Sequence, residues 1–198
     1  MRPILIYLVL AILPITSIAG NNASAKSKII LCVGCHGSDG NSTSSENPIL
    51  AGQGKAYLAK QIRDFKSGAR KNETMSSLAQ TINSADISTV VGYFSSQKRK
   101  TLKNKQSNNA LGEKIYQHGI KSKGVTACAS CHGVNGSGNT TKIYPSLAGQ
   151  HKEYISKMLQ DFRTGERKND IHMSMRNIAA KLSDKEIELL SSYISALK

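Results

Sequence analysis

Cys128-Ala129-Ser130-Cys131-His132-Gly133 is the stretch on which the reading turns, and an earlier copy stands at Cys32-Val33-Gly34-Cys35-His36-Gly37. In each copy two thiols three positions apart lie on one side of a helical turn, and an imidazole follows the second directly. C-x-x-C-H is the attachment signature for c-type haem. The thiols reach the two vinyl groups of one porphyrin as thioethers, and the imidazole stands over the iron as an axial ligand. Cys32, Cys35, Cys128 and Cys131 are all the cysteines of the chain, so none is left for a disulfide. A thioredoxin-type dithiol would give no role to His36 or His132. Paired C-x-x-C motifs on one zinc are usually separated by about 12–20 residues; here 92 residues lie between Cys35 and Cys128. The motifs predict two haem c groups, with His36 and His132 as the proximal ligands.

Working outward, the whole chain is one unit written twice. Pro48 to Asn72 aligns without gaps on Pro145 to Asn169, with 14 of 25 positions identical. The offset is 97 there, 96 at the C-x-x-C-H motifs and 100 near the ends of the units (Tyr93 with Tyr193). A period this long is a tandem pair of domains, not a solenoid. Tyr57, Leu58, Gln61, Ile62 and Phe65 recur at helical spacing as one apolar stripe, and Tyr154, Ile155, Met158, Leu159 and Phe162 repeat it. Gly68 and Gly165 follow, where a helix ends in a left-handed residue. Ser84 before Asp86, and Ser183 with Glu186, read as caps of each unit's last helix. Little reads as strand. The fold class expected is all-α: two tandem domains, each wrapped around one covalently bound haem that supplies much of a modest core. The boundaries expected are 26–100 and 110–198, with the polar, basic segment 101–109 as an exposed linker. Only Lys26 to Leu31 precede Cys32, so the opening helix of the first unit is expected to be brief.

Residues 1–25 read as a signal peptide: Met1-Arg2, an apolar run of about ten residues up to Pro14, then Ala23-Ser24-Ala25 as a cleavage site. An uncleaved anchor is the alternative, but a spanning helix needs about 20 apolar residues. Export to the periplasm suits haem attachment, which takes place outside the cytoplasm in bacteria. Of the formal net charge of +14, residues 26–100 carry +6 and residues 101–198 carry +7. A nucleic-acid partner is set aside, because no binding motif accompanies the charge and aromatics are only 5% of the chain. An acidic protein surface is the expected contact, and peripheral association with an anionic membrane is the alternative.

The sixth iron ligand decides the chemistry. A methionine thioether is soft and neutral and raises the potential. Met75 is the only methionine of the first unit after its motif. In the second unit Met173 and Met175 both qualify; Met175-Arg176-Asn177-Ile178-Ala179 matches the M-x-x-(L/I)-A spacing of Met75 to Ala79, which selects Met175. His172 is a rival ligand that would lower the potential. Both methionines are read as lying in loops after Arg-Lys-Asn. His118 and His151 have no counterparts in the first unit and are read as surface residues.

With these residues in view, the sequence resembles the dihaem cytochrome c4 family, built from two class I cytochrome c domains. The resemblance rests on both C-x-x-C-H-G motifs with Asp39-Gly40-Asn41 and Asn135-Gly136, the two Pro-x-Leu-Ala-Gly-Gln segments, Asp64-Phe65 and Asp161-Phe162, the Gly-x-Arg-Lys-Asn turns and both M-x-x-(L/I)-A segments. It implies axial pairs His36/Met75 and His132/Met175, and halves related by approximate two-fold symmetry with the haems facing each other. It also implies Pro48 and Pro145 carbonyls that accept hydrogen bonds from the proximal imidazoles. The activity implied is electron carriage, with a quinol-oxidising complex as donor and a terminal oxidase as acceptor, and no catalysis. A haem subunit of an enzyme complex, such as a sulfide-oxidising flavocytochrome c, would have nearly the same sequence; a dihaem peroxidase would need an open axial position. The chain departs from the family pattern in that both halves are basic, and in the short segment before Met75.

Overall fold

A computed structural model describes residues 19–100 and 109–198. Residues 1–18 of the expected signal peptide and all but Asn109 of the expected linker lie outside the described residues. In chain order the helices are α1 (Ala19–His36), α2 (Lys55–Ser67), α3 (Glu73–Gln80) and α4 (Ser84–Ser96), then α5 (Ala110–His118), α6 (Ala129–His132), α7 (Lys152–Thr164), α8 (Ser174–Ala179) and α9 (Asp184–Ala196). Among the described residues β structure is limited to two isolated bridges, Ile120 with Val125 and Asn139 with Tyr144.

The helices end where the sequence says they should. Gly68 and Gly165 close α2 and α7 at φ 77° and 79°, a conformation that only glycine takes without strain. The capping box is present at α9: Ser183 accepts from the Glu186 N–H while the Glu186 side chain accepts from the Ser183 N–H. At α4 the expectation fails by one residue, since Asn83 is the cap and Ser84 is already helical.

Two separate cores form, one per half. In the first, Leu58 of α2 meets Ile82 and the α4 face of Ile87, Val90, Val91 and Phe94. In the second, Ile155 and Leu159 of α7 meet Leu182 and the α9 face of Ile187, Leu190 and Ile194. Each such side chain contributes about 1.5–3 kcal/mol on leaving water. The opening and closing helices pack on each other in both halves, α1 on α4 and α5 on α9. The opening helix of the first half carries the whole of its haem motif. α1 is an 18-residue helix that runs straight through Cys32 and Cys35 to His36, and the expected cleavage position after Ala25 lies within it. In the second half the same job is split between α5 and α6, with Gly119 at φ 70° turning the chain between them.

The halves meet through a pseudo-symmetric exchange. Gln150 donates from Nε2 to the Ile49 carbonyl (3.1 Å) and accepts at Oε1 from the Ile49 N–H (2.9 Å). Gln53, its counterpart at offset 97, does the same with Ser146, at 3.1 and 2.8 Å. Arg99 spans the two halves, donating to the Ala51 carbonyl (3.0 Å) and to its repeat-mate Ala148 (2.7 Å), and burial draws its pKa down to about 10. His151 corrects the sequence reading: it is buried, and its Nε2 donates to the Ser42 carbonyl of the other half at 3.0 Å. The larger side chain stands where the first half has Gly54, so it fills space on one side of the junction only. His118 is exposed, as read.

Candidate haem sites

Each C-x-x-C-H motif sits on the last turn of a helix, which puts both thiols and the imidazole on neighbouring faces. Gly37 and Gly133 then reverse the chain at φ 82° and 81°. The next anchor is a glycine carbonyl. Gly40 O accepts from Leu50 N (2.8 Å) and Ala51 N (3.0 Å), and Gly136 O accepts from Leu147 N (2.7 Å) and Ala148 N (3.0 Å). A Cβ on Gly40 would lie 2.9 Å from Ala51 N, and one on Gly136 would lie 3.0 Å from Ala148 N. Only glycine permits this approach, and the approach delivers the Pro-x-Leu-Ala segment to the histidine.

The result is the same in both halves. His36 Nδ1 lies 2.8 Å from the Pro48 carbonyl and His132 Nδ1 lies 2.9 Å from the Pro145 carbonyl. A carbonyl can only accept, so Nδ1 carries the proton and Nε2 of the neutral ring keeps a lone pair. Both rings are buried, and burial lowers their pKa against the opposing effect of the proline carbonyl. Among the described residues neither Nε2 makes a hydrogen bond. A buried, neutral, oriented imidazole with an uncommitted lone pair is what axial ligation requires. None of the four cysteines is paired in a disulfide, so each motif keeps both of its sulfurs for a porphyrin. The donor set fits covalently held haem at both motifs. Among the described residues no three-carboxylate, histidine or cysteine cluster suits a separate metal ion.

The methionines differ from the loop reading. Met75 is half-buried in the first turn of α3, with its N–H donated to Asn72 Oδ1 at 2.9 Å. Met175 is half-buried in α8 and packs on the same core as Cys128. Met173 and His172 are exposed, both at positive φ, in the three-residue insertion before α8. Asp170 holds that insertion by accepting from Arg176 Nε (2.7 Å) and Arg176 N (3.0 Å). Ala79 and Ala179, which close the two M-x-x-(L/I)-A segments, are completely buried.

Sequence reading missed the residues that join the sites. Arg70 and Arg167 each stack on a phenylalanine of their own half, with guanidinium carbons 4.6 Å from the Phe65 ring and 4.5 Å from Phe162. Each then reaches across to the tyrosine of the other half, Arg70 to Tyr154 (3.0 Å) and Arg167 to Tyr57 (3.3 Å). Gln61 belongs to the α2 stripe by position, but its amide serves these arginines. The available signal was that Gln53/Gln150, Tyr57/Tyr154 and Arg70/Arg167 are polar residues repeated at one offset.

An all-α pair of units with a proximal histidine turn in each defines a c-type cytochrome of two cytochrome c domains. A cytochrome c family model matches residues 109–198. Cytochrome c4 of Azotobacter vinelandii is 41% identical over 202 residues, covering 97% of this chain and 96% of that protein. The crystal structure of reduced recombinant cytochrome c4 from Pseudomonas stutzeri superposes with a TM-score of 0.84 at 41% identity, covering 90% of this chain and 98% of that one. The thiosulfate dehydrogenase electron acceptor of Thiomonas intermedia is 30% identical, over 88% of this chain and 82% of that protein. The chain belongs to the cytochrome c4 family. It is an electron-transfer cytochrome, not an enzyme, and its cofactors are two haem c groups.

Proposed function

We propose that this chain is an exported, periplasmic electron carrier of a respiratory chain, taking electrons from a quinol-oxidising complex and passing them toward a terminal oxidase. Residues 1–25 are the leader, 26–100 and 110–198 the two haem domains, and 101–109 the link between them. Cys32 and Cys35 hold one haem and Cys128 and Cys131 the other; His36 with Met75 and His132 with Met175 are the axial pairs. Bound there, haem supplies one-electron exchange between ferrous and ferric iron. The Pro48 and Pro145 carbonyls keep each imidazole in one tautomer and one orientation through that exchange, so little rearrangement accompanies it.

The observation that carries this reading is the duplicated histidine–proline contact, which prepares a neutral Nε2 in each half. Met175 is preferred to Met173 because it packs on the Cys128 core, and the exposed insertion residues do not. Partners dock through acidic surfaces onto the basic halves. A second reading, as the haem partner of a substrate-oxidising enzyme, is favoured by the kinship to a thiosulfate dehydrogenase electron acceptor; co-purification with a catalytic chain would establish it. The axial assignment is tested by Met75→Ala and Met175→Ala. Each should abolish half of the methionine-to-iron charge-transfer absorption of the ferric protein, and the pair all of it. Retention of the full band in either variant would overturn the assignment.

A further inference from the structure

The first half carries a groove that shares no residue with its haem motif or with the junction between the halves. It encloses about 440 Å³ between α2 and α4. Ile87 and Val91, both buried, form its floor, and Ser84 and Ser88 line the α4 side. From α2 come Lys55, Ala59 and Arg63, which share one helix face at i, i+4 and i+8. Tyr57, Gln61 and Asp64, the α2 residues that bond to the other half, lie on the opposite face.

The lining holds two cations and no carboxylate. Lys55 and Arg63 are exposed, and among the described residues neither takes part in an ion pair. Asp64 serves Lys60 and Asn169 on the far face of α2, and Asp86, in the first turn of α4, is buried and does not line the groove. The second half reverses this pattern. Where the first half has Ala56, Ser84 and Ser88, the repeat puts Glu153, Asp184 and Glu188, and Arg63 is matched by Gln160. Lys152, matching Lys55, is the one cation left at these positions. Asp184 and Glu188 are already paired, with Arg163 and Lys185.

We propose that the groove between α2 and α4 of the first half is the docking site for an acidic segment of a redox protein partner. The proposal rests on the reading, given above, that partners present acidic surfaces to this chain. Arg63 stands eight residues after Lys55, which sets the two cations about 12 Å apart along the helix. That spacing suits a run of carboxylates rather than one small anion, and a recess with an apolar floor suits a peptide segment rather than a flat lipid surface. Docking is one-sided, because the carboxylates at the matching positions of the second half repel the same segment.

The test is a calorimetric titration of hexaglutamate into the holoprotein at about 0.01 M salt, where screening is weak. Lys55→Gln with Arg63→Gln should weaken binding about three- to tenfold, the loss of two ion pairs at a partly recessed site. Lys152→Gln with Lys185→Gln removes the same charge from the matching face of the second half and should leave the affinity unchanged. Ser88→Glu, which copies Glu188 into the groove, should weaken binding without removing a cation. Lys55, Arg63 and Ser88 are exposed, so these variants should fold and keep both haems. Equal loss in the two paired variants, or loss in neither, would overturn the site while leaving acidic docking in place. Vesicles of phosphatidylglycerol that need Lys55 and Arg63 when hexaglutamate does not would give the groove to a membrane and overturn the protein partner. Failure of hexaglutamate to bind the unaltered holoprotein would overturn the reading beneath the proposal as well.

Discussion

Gln150→Ala is the perturbation that best separates the contribution of the junction from that of the two cores. It removes the donor and the acceptor that serve Ile49, whose residue is only 1% exposed, so neither the Ile49 N–H nor its carbonyl can turn to water. A buried backbone group left unpaired costs about 1–3 kcal/mol, giving about 2–6 kcal/mol for the two. The symmetry-related Gln53→Ala strips the same two bonds from Ser146, which is half-buried, so water can replace them. That change should cost less than about 2 kcal/mol. For a chain of this size each kcal/mol lowers the melting temperature by about 2–4 °C. Scanning calorimetry of the ferric holoproteins should therefore show Gln150→Ala melting at least about 4 °C below the parent, with Gln53→Ala between them. Equal shifts for the two variants would refute the argument from burial. So would a Gln150→Ala shift within error of zero.

Three further outcomes follow from single contacts. The Lys100 ammonium, and then the Asn41 N–H, hold Asp39 at about 2, below the ordinary carboxylate value. A folded-state pKa below the unfolded one stabilises above about pH 4 and is lost as the pH falls toward 2, so denaturant titrations of Asp39→Asn should show a deficit at neutral pH that closes over that interval. A deficit that persists at pH 2 would contradict it. Met173→Leu should leave the ferric charge-transfer absorption intact; its loss would give the ligand role to the insertion. Electron transfer to an acidic partner should slow as ionic strength rises, because contacts between exposed charges are screened within about 10 Å at 0.1 M salt, and a rate indifferent to salt would remove the electrostatic docking surface.

What the sequence made legible was what repeats and what has a fixed period. Tandem C-x-x-C-H motifs, helical stripes ending in Gly68 and Gly165, and the Pro48 and Pro145 segments were all readable because each is a local pattern with one physical cause. The helical setting of Met75 was not, since Asn72 turns a short polar segment into a capped helix. Nor was the burial of His151, because nothing local marks a histidine that satisfies a carbonyl 109 positions away. The arginine junction is the same kind of case: Arg70 and Arg167 sit in the two Gly-x-Arg-Lys-Asn segments, yet each has a tyrosine partner in the opposite half. Long-range polar pairing leaves no periodicity to read.

The central claim is that two equivalent histidine–proline turns prepare two closed, one-electron sites in one chain. The measurement that meets it most directly is an optical potentiometric titration of the purified holoprotein, calibrated to haem content and repeated under carbon monoxide. Two haems per chain, two one-electron steps with low-spin ferrous spectra, and no change on adding carbon monoxide are predicted. A single haem per chain, or carbon monoxide bound to the reduced native protein, would contradict it.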